Sequence, residues 1–163
     1  DWTDQQLADL LHHVLDAKKW FIEIDEFDRA ERRLLNFGHT WGHALESATG
    51  YAIPHGLAVA LGMKAASQFA NKPRQSVVLN DHADLLLEDV ITPSHVEKFD
   101  AFHFLNAFRA DKKHGRDHYN VILPTEERNN GLLGVSEMEL PKDSLSETAV
   151  LNAIKAVLEE IVA

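Results

Sequence analysis

The stretch Asn36-Phe37-Gly38-His39-Thr40-Trp41-Gly42-His43, answered downstream by His55-Gly56, decides how the rest of the chain is read. His39 and His43 stand at i and i+4, so on a helix they share one face a turn apart. That spacing lets two imidazoles converge on one ion or one ligand. His55 follows a short turn and opens the next helical pattern. If the two helices pack antiparallel, His55 returns to the neighbourhood of His39. Two histidines at this spacing are most often plain surface residues. Here Gly38, Gly42 and Gly56 stand beside them in a helical context. Glycine there costs about 1 kcal/mol relative to alanine, which predicts crowding against a ligand or another backbone. The remaining histidines (His12, His13, His82, His95, His103, His114 and His118) lack such company and read as solvated or partly buried, without a role.

The bulk properties frame this motif. A chain of 163 residues with 45% hydrophobic content fits one ordinary domain with a proper core. Its net charge of −10 repels nucleic acid and anionic membrane as main partners, yet leaves room for a small anionic substrate in a local basic pocket. Cysteine is absent, so any metal must be held by His, Asp or Glu, and the chain has 10 histidines. No apolar run approaches the ~20 residues of a membrane span. No signal peptide is visible. A soluble cytoplasmic protein is the expectation. Because the first residue is Asp1 and not Met, the chain is expected to be a cut, processed or partial one.

Working outward, residues 3–21 read as a helix, with Thr3 and Gln6 as a capping box and Leu7, Leu10, Leu11, Val14 and Leu15 on one face. The charged run 25–33 reads as a loop entering a second helix. Residues 40–49 are helical and end at Gly50, 51–54 form a connector, and 55–70 are a helix rich in small residues. Residues 75–87 also read as helix. Thr92-Pro93 is a start signal, and Asp100 caps a helix reaching about residue 110. Residues 119–123 and 132–140 suggest a small hairpin. Ser144 with Glu147 reads as a second capping box, opening an amphipathic helix with Val150, Leu151, Ile154, Val157, Leu158 and Ile161 inward. The sum is a mainly α, multi-helix domain over 1–163. It has no strand leading into a Gly-rich turn, hence no dinucleotide fold of its own.

Potential anion binders flank the histidines: Lys18, Arg32 and Asn36 before them, Lys112 and Lys113 after. Arg32 and Asn36 are again i, i+4. Their convergence with the histidines would make a phosphate or carboxylate pocket. The plainer reading pairs Lys18 and Arg32 with Glu23, Asp25, Glu26, Asp28 and Glu31, and without the histidine motif it would be preferred.

Taken together, Lys18, Asp25-Glu26, Arg32, Leu35-Asn36-Phe37-Gly38-His39-Thr40, Gly42-His43-Ala44-Leu45-Glu46, Gly50-Tyr51, His55-Gly56, Ala58-Val59-Ala60, Gly62-Met63 and the later Asp111-Lys112-Lys113 resemble the C-terminal domain of 3-dehydroquinate synthase and its sugar-phosphate cyclase relatives. The match is dense over 18–63 and thinner beyond. Asp28 stands where many members have Glu, and Leu57 where many have Glu in a His-Gly-Glu triplet. The run Asp25-Glu26-Phe27-Asp28 and Ile53-Pro54-His55 are similar to members of polysaccharide biosynthesis.

The resemblance implies His39 and His55 as zinc ligands, with His43 beside the metal in proton transfer. It implies Lys18, Asp28, Arg32, Asn36, Lys112 and Lys113 as substrate-binding groups, with Lys18, Arg32 and Asn36 also catalytic beside His43. A third ligand, a Glu, and most of the NAD site are expected in an upstream α/β domain, so the chain alone is expected to be inactive. The implied reaction is that of a carbon–oxygen lyase of the shikimate pathway to aromatic amino acids. It closes a phosphorylated seven-carbon keto sugar acid to 3-dehydroquinate with loss of phosphate, using zinc and NAD in a cytoplasmic homodimer. Alternatives are a cyclase of another sugar phosphate (cyclitol or polysaccharide), a polyol dehydrogenase relative, or a non-catalytic helical domain. The cationic set Lys18, Arg32 and Lys112 favours a phosphorylated substrate over a simple polyol.

Overall fold

Thr3 opens the first helix as its spacing from Gln6 predicts. Its Oγ1 accepts from the Gln6 amide at 3.3 Å, and its own amide donates to Gln6 Oε1 at 2.9 Å. The helix, α1 (Asp4–Ile24), outruns the predicted end because Ile22-Glu23-Ile24 contains no breaker. Asp25 stops it. The Asp25 carboxylate accepts from the amides of Arg29, Ala30 and Arg32 at 3.0, 2.7 and 3.2 Å. These hydrogen bonds hold its pKa below the ordinary carboxylate value. With three amides drawn to one carboxylate, the chain winds next into a 3-10 turn, Glu31–Asn36, instead of a second α-helix.

The computed structural model describes residues 3–71, 87, 90–125 and 134–162. The chain divides into two units, Asp1–Leu35 and Asn36–Ala163. The predicted helix at 75–87 falls almost wholly outside the described residues.

The second unit holds α2 (His39–Ala48), α3 (His55–Ala70), the short α4 (Pro93–Val96), α5 (Ala101–Arg109), the strands β1 (His118–Thr125) and β2 (Gly134–Pro141), and α6 (Ser144–Val162). Both strand predictions hold. β1 and β2 pair antiparallel in a register that sets Tyr119 opposite Leu140 and Val121 opposite Met138. The second unit is therefore mainly helical with one small hairpin.

α2 packs against α3 on one side and α5 on another, and α3 packs against α6 and β1. The core between them is built from Trp41, Leu45, Leu61, Phe104, Phe108, Val121, Val150, Ile154 and Val157, all buried. Trp41 Nε1 donates to Val150 O at 3.2 Å, so the indole is both packed and satisfied. The amide of Asp100 donates to Ala48 O at 3.0 Å, which ties the end of α2 to the start of α5. Lys64 on α3 reaches Glu160 on α6 at 2.8 Å.

The capping box predicted at Ser144 and Glu147 needs correction. Asp143 supplies the cap, its Oδ1 accepting from the Ser146 amide at 2.8 Å. Glu147 turns away instead and takes Arg109 Nε and Nη2 at 2.8 and 2.6 Å and the Tyr119 hydroxyl at 2.6 Å. A charged, bidentate partner outcompetes a single capping amide.

Candidate metal and substrate site

The apolar stripe of α2 (Thr40, Trp41, Ala44, Leu45 and Ala48) is buried. His39 and His43 lie off that stripe, half-buried and exposed respectively. What fixes their position is the closeness of α2 and α3. A Cβ added at Gly62 would fall on Gly38 O and lie 2.8 Å from the Gly42 amide nitrogen. One at Gly42 would lie 3.0 Å from Ala58 O and from Val59 Cα. Gly38 caps α2 at φ +77, a left-handed conformation that glycine adopts without strain. The crowding predicted at Gly38 and Gly42 is thus contact between backbones. The same expectation fails at Gly56, where an added Cβ would meet nothing within 4 Å. Gly56 sits in an exposed first turn, where no neighbour constrains it.

This contact brings three rings together. The centroids of His39 and His43 are 5.5 Å apart, those of His39 and His55 5.6 Å, and those of His43 and His55 5.5 Å. Two of the rings are anchored at Nδ1. The His39 Nδ1 lies 3.3 Å from Phe37 O, a group that only accepts, so that nitrogen carries the proton. The His55 Nδ1 lies 3.1 Å from Glu46 Oε2, with the carboxylate largely covered and the ring open to solvent. In both rings Nε2 is then left as a lone-pair donor. Burial, aided by the field of Lys113, holds His39 and His43 below the ordinary imidazole pKa, which favours the neutral, ligating form.

The donor set suits a divalent metal. Three imidazoles on one tetrahedral zinc would place their ring centroids about 5 Å apart, close to the spacing found. An Nδ1 tied to a carbonyl or carboxylate is the usual arrangement around a metal-ligating histidine. Measured at the ligand atoms and not the ring centroids, the group that comes closest among the described residues leaves His39 out. Ligand atoms of His43, Glu46 and His55 all lie within 4.8 Å of one another.

The other predicted residues divide between the units. Lys18 lies on α1, and Asp28 and Arg32 follow it, all in the first unit. Asp28 has φ +55. Arg32 Nη1 donates to Glu26 O at 3.0 Å, and Lys19, not Lys18, pairs with Glu23 at 3.6 Å. Asn36 begins the second unit. Lys112 and Lys113 lie in the turn after α5, and Lys113 is close enough for its charge to act on both His39 and His43.

Three neighbours escape a reading of the sequence. Glu46 stands at i+3 from His43, a spacing that signals a shared face. Asp111 carries a buried Oδ2 with no hydrogen-bond partner among the described residues. His114, which reads in sequence as having no role, has both of its ring nitrogens engaged.

Comparison with known proteins gives the chain a family. The family described as 3-dehydroquinate synthase C-terminal matches residues 1–114. A 3-dehydroquinate synthase of Sulfurovum sp. (strain NBC37-1) is 31% identical over 164 residues, covering 99% of this chain and 44% of that protein. A 3-dehydroquinate synthase of Streptococcus pyogenes serotype M18 is 37% identical over 131 residues, covering 76% of this chain and 36% of that protein. The chain therefore spans less than half the length of these curated relatives. Among solved structures, 2-deoxy-scyllo-inosose synthase complexed with carbaglucose-6-phosphate, NAD+ and Co2+ superposes with a TM-score of 0.72 at 20% identity, covering 95% of this chain and 42% of that one. That likeness is one of fold.

Proposed function

The chain belongs to the 3-dehydroquinate synthase C-terminal family, and on that premise we propose that it is the metal- and substrate-holding part of a cytoplasmic sugar-phosphate cyclase. The reading takes the reaction to be the 3-dehydroquinate synthase one, in which a phosphorylated keto sugar acid loses phosphate and closes to a ring. A longer homodimeric protein supplies the remaining metal ligand and most of the NAD site. The observation that carries the reading is the convergence of His39, His43 and His55, with the first and last anchored through Nδ1.

In this reading His39 and His55 hold zinc through Nε2. When bound, the metal supplies Lewis-acid polarisation of a substrate oxygen and NAD supplies reversible hydride acceptance. His43, exposed at the same point and favoured in its neutral form, takes up a proton from the substrate and returns it. Lys112 and Lys113, with Asn36, fix the phosphate, carboxylate and hydroxyls, and positioning of this kind supplies much of the rate. For Lys18, Asp28 and Arg32 of the first unit, a substrate-binding role rests on the family resemblance alone. The inosose synthase of similar fold, solved as a complex with carbaglucose-6-phosphate, NAD+ and Co2+, supports the class of substrate and cofactors.

Calorimetric titration of the chain with Zn2+ and Co2+ tests the assignment. Metal uptake is expected to be lost in His39→Ala and His55→Ala and kept in His43→Ala. Retention in His39→Ala with loss in His43→Ala would instead assign the ion to His43, Glu46 and His55, the group closest at its ligand atoms among the described residues.

A further inference from the structure

The turn that carries Asp111, Lys112 and Lys113 is held by an unusual amount of bonding for a surface connector. The His114 ring sits between Phe108 and Tyr119, with centroids 5.0 and 4.9 Å away. His114 Nε2 lies 2.8 Å from Phe108 O, near the end of α5, and that carbonyl only accepts. His114 Nδ1 lies 3.1 Å from the amide nitrogen of Asn120 in β1, which only donates. The two bonds are compatible with a single form of the ring, neutral and protonated at Nε2. The Asn120 side chain completes the closure by donating Nδ2 to Lys113 O at 2.6 Å. Inside the turn, the Lys113 amide donates to Asp111 Oδ1 at 3.0 Å and the His114 amide to Asp111 O at 3.1 Å.

We propose that His114 is a positioning residue whose neutral, Nε2-protonated ring clamps the 111–113 turn between α5 and β1 and so holds Lys113 and Asp111 at the imidazole cluster. A protonated or Nδ1-protonated ring cannot accept from Asn120, so the clamp exists in one state only. The product of the clamp is a cation whose field reaches His39 and His43, together with a buried carboxylate oxygen, Asp111 Oδ2, left with its acceptor capacity unused among the described residues. Burial of the His114 ring pushes its pKa down, consistent with the neutral form. The inference rests on the reading of Lys113 as a substrate-holding cation.

The test uses the 163-residue chain, labelled with 15N, and inorganic phosphate as probe. Long-range 1H–15N spectra report the His114 ring form, and phosphate titration is followed at the amides of 111–113. His114→Gln keeps one donor and one acceptor, whereas His114→Phe keeps the ring stacking and loses both bonds. Leaving the Asn120 amide unpaired, and the Phe108 carbonyl with the Asp111 amide at 3.2 Å as its remaining partner, should weaken phosphate binding about tenfold in His114→Phe, while His114→Gln stays within about twofold. Slow exchange of the Asn120 amide should be lost in His114→Phe and kept in His114→Gln. An Nδ1-protonated or cationic ring in the wild type at neutral pH overturns the proposal. So does phosphate binding by His114→Phe equal to wild type, or an equal loss in both variants. Lys113→Ala separates the two layers. If it leaves phosphate binding unchanged, the substrate role of Lys113 fails, and with it the positioning role, while ring form and Asn120 exchange still show whether the clamp itself exists.

Discussion

Glu46 Oε2 lies 3.1 Å from His55 Nδ1, so the carboxylate one turn beyond His43 dictates which nitrogen of the neighbouring helix's histidine is free. The bond joins the later half of α2 to the first residue of α3, and it orients an exposed ring of the cluster.

Removing that carboxylate should loosen the metal without unfolding the domain. Glu46→Ala is expected to weaken Zn2+ or Co2+ binding roughly 10–100-fold, the usual effect of deleting an outer-shell partner, with Glu46→Gln intermediate because it still accepts. Calorimetric affinities beside unchanged far-UV circular dichroism check it. Undiminished affinity in Glu46→Ala would show that His55 orients itself.

Gly62→Ala should be among the most damaging single-methyl changes in the chain. Alanine gains ~1 kcal/mol of helix propensity, but overpacking of about 3 kcal/mol between two backbones outweighs it, leaving a net loss of roughly 2 kcal/mol. Gly56→Ala, where an added methyl meets nothing, should be neutral or slightly stabilising. Urea denaturation of the two variants gives the comparison.

The bonds from Arg109 and Tyr119 pull the Glu147 carboxyl down to about 2 from its ordinary 4.5. A carboxyl depressed in the folded state contributes stability above its unfolded pKa and loses it as pH falls through the folded value. The Glu147 contribution should therefore be complete above about 4.5 and fade toward about 2. Glu147→Gln should cost roughly 1–2 kcal/mol at neutral pH, a figure kept low because Arg109 is partly solvated. The variant's stability should also vary less with pH across that window, as denaturant midpoints measured from acid to neutral pH would reveal.

Lys113 lowers the proton affinity of both His39 and His43. In the metal-free chain, Lys113→Ala should move both imidazole titrations upward, followed by 1H NMR of the ring protons. A shift at neither ring would place the ammonium farther away than the structure has it.

Helix positions are largely legible in the sequence because they depend on near neighbours. Thr3 with Gln6, Gly50 after Thr49, Thr92-Pro93 and Asp100 each mark a boundary that the structure keeps. The meeting of three histidines is legible for the same reason, since i, i+4 spacing and a short connector constrain the geometry. What the sequence hides is competition between distant partners. Ser144 loses its predicted partner because Arg109 and Tyr119 arrive from other elements to claim Glu147. His114 reads as idle because Phe108 O and the Asn120 amide, its two partners, are backbone groups of a kind found all along the chain.

The hydrogen bond from Trp41 to Val150 also ties the helix of the histidines to a partner 109 residues further along the sequence. The indole lies between two of the clustered histidines in sequence, and Phe69 and Phe108 pack on it as well. Three separate segments thus meet on the one residue that separates Thr40 from Gly42, so damage to α6 should be felt at the imidazoles, which it does not touch in sequence.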